Sequence, residues 1–217
     1  MQHAILGTGT VGRAIADKLH ALGHTVALGS RTEDNPTAAE WAASKGQRAC
    51  HGTFRQIAAA GDVVWLAVAG QHALAVVEAA GDALDGKVVL DLTNPLDFSQ
   101  GFPPRLFVGN DDSLGEQIQR AAPNAQVVKT FNTLSNALMV APEHLPEPTD
   151  VFVAGEDSDA KAIVSGILQE MGHPEPVDMG GIEASRGLEA WLLLWTRLYK
   201  ALGTDRFNLK LVRAQPE

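Results

Sequence analysis

The sequence predicts an α/β fold: a doubly wound parallel sheet with a small C-terminal α/β unit ending in an apolar helix. Three observations carry this. Apolar segments of strand length alternate with helical segments from Met1 to Phe131. The inner strand segments, Val63-Val64-Trp65-Leu66 and Val88-Val89-Leu90, are almost continuously apolar, as strands covered on both faces must be. The first strand segment runs directly into Gly7-Thr8-Gly9-Thr10-Val11-Gly12, a G-x-G-x-x-G at a strand-to-helix turn. Together these describe a Rossmann-type arrangement.

Taken in order, the first strand lies at Ala4-Ile5-Leu6. The helix after it places Val11, Ile15, Leu19 and Leu22 on one face and ends at Gly23. Thr25 to Leu28 forms the second strand, finishing in Gly29-Ser30-Arg31. Asn35 caps and Pro36 opens a helix that reaches Lys45, with Gly46 past its end. A short third strand is expected near Gln47 to Ala49. Thr53 and Gln56 have capping-box spacing for a short helix stopping before Gly61. The fourth strand spans Asp62 to Val68, a helix Gln71 to Ala80, and the fifth strand Lys87 to Leu92. An irregular stretch from Thr93 to Asp112 is long enough to mark a functional loop or a hidden element. Ser113 and Glu116 form a second capping box, and Val127 to Phe131 the sixth strand. Pro142, Pro146 and Pro148 mark a crossover, so residues 1–140 are expected as the nucleotide-binding domain and 141–217 as a small domain for acceptor binding and dimerisation. That second unit reads as a strand at 151–154, a helix at 158–171, a strand near 177 and a final helix at 183–202.

Each glycine of the motif has a physical task. Gly7 makes the tight turn, Gly9 admits a pyrophosphate close to the backbone, and Gly12 lets helix and strand pack. The helix N-terminus then offers free N–H groups to the anion. No acid stands between Thr25 and Arg31 to accept bonds from a ribose 2′-hydroxyl. Ser30 and Arg31 instead suit a 2′-phosphate, which favours NADP(H) over NAD(H). Glu33 and Asp34 follow at once and are expected to face water.

Composition narrows the partners. With 217 residues and a formal charge of -9, neither nucleic acid nor an anionic membrane is an expected partner. The single cysteine, Cys50, excludes an internal disulfide and fits a reducing compartment. The early first strand leaves no room for a signal peptide, and no apolar run reaches spanning length, so a cytoplasmic protein is expected.

Familiar catalytic sets are missing. There is no Tyr-x-x-x-Lys and no G-x-S-x-G, and His20 and His24 are separated by the helix-ending Gly23, so no metal site is expected. Ala69 and His72 follow the fourth strand at its C-terminal end, where open α/β sheets bind ligands. His72 is a cofactor contact or a surface helix-cap residue. Asn94, Pro95, Asn132 and Thr133 follow two further strand ends and are expected to rim the nicotinamide crevice; Asn94 has an equally plain reading as a turn residue. The last helix, with Leu188, Trp191, Leu192, Leu193, Leu194, Trp195, Leu198, Tyr199 and Leu202, is apolar nearly all round. Burial of such a helix is expected in a homodimer interface.

These motifs, with Val127 to Thr133 and the tail segments Val151 to Gly155 and Ser185-Arg186-Gly187, resemble the F420-dependent NADP oxidoreductase family over nearly the whole chain. The cytosolic domain of the six-transmembrane metalloreductases is similar. The resemblance implies direct hydride transfer between NADP(H) and a deazaflavin or flavin (coenzyme F420, FMN or FAD), without an obligatory protein acid or base. It implies that Thr8, Gly9, Thr10, Val11 and Gly12 hold the pyrophosphate, Ser30 and Arg31 the 2′-phosphate, and Asn132, Thr133 and Leu134 the small-molecule redox acceptor. The chain departs from the family pattern at Asn132-Thr133-Leu134-Ser135, which leaves the acceptor open. Two other readings stand beside it: a dehydrogenase acting on a small carbonyl or imine, and a non-catalytic NADPH-sensing dimer.

Overall fold

A computed structural model describes residues 1–212 and 214. The chain begins with β1 (Gln2–Leu6), α1 (Thr10–Ala21), β2 (Thr25–Ser30), α2 (Pro36–Lys45), β3 (Ala49–Thr53) and α3 (Phe54–Ala60). It continues through β4 (Val63–Leu66), α4 (Ala73–Ala80), β5 (Val88–Asp91), β6 (Leu96–Asp97), β7 (Arg105–Leu106), α5 (Leu114–Ala121) and β8 (Gln126–Thr130). The rest comprises α6 (Asn136–Val140), β9 (Phe152–Ala154), α7 (Ser158–Glu170), β10 (Val177–Asp178) and α8 (Ser185–Leu202).

One sheet holds eight strands in the order β10-β9-β8-β5-β4-β1-β2-β3. From β3 to β8 every neighbouring pair is parallel. The expected second unit extends this sheet: β9 pairs antiparallel with β8, and β10 parallel with β9. The last residues assigned to that unit, 213 and 215–217, lie outside the described residues.

Alternation of side chains along the strands separates two apolar layers. Ile5, Val26, Leu28, Trp65 and Leu90 face α1, α2, α6 and α7, meeting Ile15, Leu19, Trp41, Leu138 and Val164. Ala4, Leu6, Val64, Leu66 and Val89 face α3, α4 and α5, meeting Ile57, Val77 and Ile118. A smaller cluster of Phe152, Ala154 and Leu188 seats α8.

Three expectations are revised. The third strand begins at Ala49, because Gly46 turns the chain at φ 77° and Val26 pairs with Ala49. The stretch from 93 to 112 hides an antiparallel ladder, Leu96 with Leu106 and Asp97 with Arg105. Within one chain α8 buries a single stripe, with Leu188, Glu189, Leu192 and Thr196 inside and Leu193, Leu194, Tyr199 and Leu202 exposed.

Candidate functional site

The chain leaves β1 for β2 and β3 and then returns to β4 on β1's other side, so a crevice opens where β1 and β4 end. Gly7 turns the chain there at φ 137°, and a Cβ on it would collide with the carbonyl of Ala67. A Cβ on Gly12 would strike the carbonyl of Gly7, whereas nothing approaches the space above Gly9. No side chain caps α1, and its first turn holds no acid. Its leading N–H groups stay free for an anion.

Two clefts flank this turn, sharing Gly9, Ala67, Val68 and Ala69. The larger, about 630 Å³, has one polar wall of Ser30, Arg31, Asn35, Thr53 and Arg55 and one apolar wall of Ala75, Val76 and Ala79. Among the described residues no acidic side chain lines it. Glu33 and Asp34 are exposed outside it, as expected. The smaller, about 430 Å³, is lined by Val11, Leu92, Leu96, Phe98, Leu134 and Met139, with amides from Gln71, Asn94 and Asn136. None of its lining side chains titrates. A dinucleotide fits the pair: open backbone at Gly9 for its pyrophosphate, cations beyond β2 and β3, and an apolar slot on the other side.

The sequence-derived residues divide accordingly. Gly7, Thr8, Gly9, Ser30, Arg31, Ala69 and His72 line the larger cleft. Thr10, Val11, Asn94 and Leu134 line the smaller. His72 is exposed on a single 3₁₀ turn, its Nε2 3.2 Å from Gln71 Nε2. Ser30 is buried and its hydroxyl donates to the carbonyl of Thr32. Gly12, Pro95, Asn132 and Thr133 are buried and line neither cleft.

Asn132 points inward, and the backbone shows why. Phe131 adopts φ 60°, a left-handed conformation a non-glycine residue takes only under tertiary constraint, and the turn sends Asn132 inward. Its Nδ2 donates to Asn94 Oδ1 at 3.0 Å and to the Leu188 carbonyl at 2.9 Å. Asn94 Nδ2 donates back to the Asn132 carbonyl at 2.9 Å. The residue expected to hold the acceptor therefore fixes Asn94, which does face the cleft.

Beneath Asn94 lies a network that sequence reasoning missed. Lys129 is fully buried, and its Nζ donates to Asp91 Oδ2 at 2.9 Å, Glu189 Oε1 at 2.7 Å and the Thr93 carbonyl at 2.6 Å. Asp91 Oδ1 accepts from Thr93 N at 2.8 Å and Thr93 Oγ1 at 2.6 Å. Glu189 accepts from the first N–H groups of α5, Leu114 at 2.9 Å and Gly115 at 3.0 Å. Burial alone would lower the Lys129 pKa, but the two carboxylates outweigh it and hold the ammonium above the ordinary lysine range. The signal was a single ionic residue inside each apolar strand, Asp91 in β5 and Lys129 in β8. Leu96, in a ladder hidden within an apparent loop, and Phe98, just beyond it, carry no such signal. In the sequence Thr53 marks only the start of a helix, and Arg55 carries no separate signal.

A family model described as NADP oxidoreductase coenzyme F420-dependent matches residues 2–95. The F420-dependent NADP reductase of Methanocaldococcus jannaschii is 31% identical over 94% of this chain and 96% of its own. The metalloreductase STEAP3 of Rattus norvegicus is 30% identical, over 86% of this chain and 35% of that protein. A crystal structure from Arthrobacter sp. FB24, described as a candidate F420-dependent NADP reductase, superposes with a TM-score of 0.92 at 44% identity, covering 98% of this chain and all of that one. A reductive aminase from Aspergillus terreus shares the fold, with a TM-score of 0.64 at 19% identity over 93% of this chain and 62% of its own.

Proposed function

The chain belongs to the F420-dependent NADP oxidoreductase family, and we propose that it transfers a hydride directly between NADP(H) and a deazaflavin or flavin ring. It is an NADP-dependent oxidoreductase. The finer reading rests on one observation: the smaller cleft is apolar, carries three carboxamides and presents no titratable side chain.

Bound NADP(H) supplies or takes a hydride at its nicotinamide. The chain's own share is to bind, orient and exclude water. Thr8, Gly9, Thr10 and Val11 hold the pyrophosphate against free N–H groups, with Gly12 keeping helix and strand in contact. Ser30 and Arg31 read the 2′-phosphate. Ala69, His72, Asn94 and Pro95 border or support the cofactor's path. Leu134, with Leu96, Phe98 and Met139, gives a planar acceptor an apolar wall, while Asn132 and Thr133 act from below by fixing the loops. A hydride moving between two rings needs no protein proton donor, and this cleft offers none. That disfavours a carbonyl or imine substrate, whose reduction needs a proton. An acceptor cleft beside the glycine turn supports an enzyme over a sensor. The exposed Leu193, Leu194 and Leu202 of α8 support a homodimer.

The test is rapid mixing of the protein with NADPH and, in turn, F420, FMN and FAD. Deuterium at the transferring nicotinamide carbon should slow ring reduction, and His72→Ala should lose less than about tenfold, below the usual range for removal of a general acid. NADPH oxidation only with carbonyl or imine substrates, or a hundredfold defect in His72→Ala at unchanged NADPH affinity, would overturn it.

A further inference from the structure

We propose that Arg55 is a second cation for the cofactor's ribose phosphate, one that leaves Asp82 on binding and clamps the 2′-phosphate together with Arg31. The proposal rests on the reading of the larger cleft as the NADP(H) site, and deepens it.

Position comes first. Ser30 and Thr53 are register partners at the ends of the adjacent parallel strands β2 and β3. Arg31 follows one by a single residue and Arg55 follows the other by two, so both emerge from one edge of the sheet. Both line the larger cleft, beside Ser30, Asn35 and Thr53. The chain as a whole carries a formal charge of -9, yet two arginines and, among the described residues, no acidic residue line this cleft. A concentration of positive charge against the net charge of the molecule is the arrangement an anionic group selects.

Arg55 is held loosely where it stands. Its guanidinium pairs with Asp82, on the turn after α4, and the two side chains are 58% and 71% exposed. Asp82 itself is not part of the cleft wall. An ion pair between two solvent-exposed side chains contributes little and is screened by salt. A phosphomonoester dianion offers three acceptor oxygens and accepts guanidinium forks bidentately, a stronger and shorter bond than the exposed carboxylate provides. Exchange of Asp82 for phosphate is therefore downhill. It breaks no buried contact and needs only a rotation of one long side chain. A cofactor without the 2′-phosphate gives Arg55 no reason to leave, so the residue adds discrimination rather than general affinity.

The experiment is calorimetric titration of the full chain with 2′,5′-ADP and with 5′-AMP. Arg55→Ala should weaken 2′,5′-ADP about tenfold, the low end for losing a hydrogen bond to a charged group, and 5′-AMP less than about twofold. Asp82→Asn, which frees Arg55, should tighten 2′,5′-ADP by about two- to threefold. Both residues are exposed, so thermal unfolding should show each variant folded. Unchanged 2′,5′-ADP affinity in Arg55→Ala, when Arg31→Ala loses it, would overturn the proposal. Equal losses for both ligands would overturn it too, by placing Arg55 on the base. Should the wild-type chain bind the two ligands alike, the NADP(H) reading of the cleft falls first.

Discussion

Replacing Lys129 by Met strands two carboxylates in a buried site. Met fills nearly the same volume, so the packing loss is small and the change isolates the charge. Lys129 and Asp91 are fully buried and Glu189 nearly so, leaving neither acid a solvent route to compensation. Breaking a buried pair by removing one partner costs about 3–5 kcal/mol. For a domain of this size each kcal/mol moves the midpoint by about 2–4 °C, so a fall of roughly 6–20 °C in thermal unfolding is expected. Adding Asp91→Asn and Glu189→Gln should return part of it, since no stranded charge then remains. The ammonium is held above the ordinary lysine range, so its contribution is fully present below about pH 10.4 and is lost only as pH rises through the higher folded-state value. The ammonium's contribution to wild-type stability should accordingly be flat between neutral and mildly alkaline pH. Urea unfolding at several pH values measures both quantities. A loss under about 1 kcal/mol, or no recovery in the triple variant, would refute the assignment of this network as charge-paired.

Arg31→Ala should weaken NADPH by about ten- to a hundredfold and leave NADH nearly unchanged, read by fluorescence titration. His3, buried with its Nδ1 accepting from Trp65 Nε1 at 3.1 Å, has its pKa lowered by burial and by His24 to about 4. Its folded-state pKa is depressed, so the stability is fully present above the unfolded value of about 6.5 and falls by up to about 1.4 kcal/mol per pH unit below it. Urea unfolding of His3→Asn should lack that acid limb. Leu194→Arg, at an exposed position of α8, should convert a dimer to monomer in analytical ultracentrifugation while the chain stays folded; a wild-type monomer would end the dimer reading.

What the sequence determined by itself is local. The helix periods, the caps at Asn35, Thr53 and Ser113, and the glycine turn at Gly7 depend on neighbours a few residues apart and appear where the pattern put them, whereas β3 lies further along than expected. The parallel sheet followed from continuous apolarity, because only strands covered on both faces are composed that way. Tertiary structure decided what depends on distant partners. Asn132 follows a strand end in the sequence, and only the left-handed turn at Phe131 and the carbonyl of Leu188, far along the chain, decide that its side chain is buried. Asp91, Lys129 and Glu189 lie on three separate elements, and their pairing exists only once β5, β8 and α8 are packed. Arg55 reads as an ordinary helix residue until strand register sets it beside Arg31. A local pattern records which face a residue presents; only the packed chain brings charges together whose mutual attraction offsets the cost of leaving water.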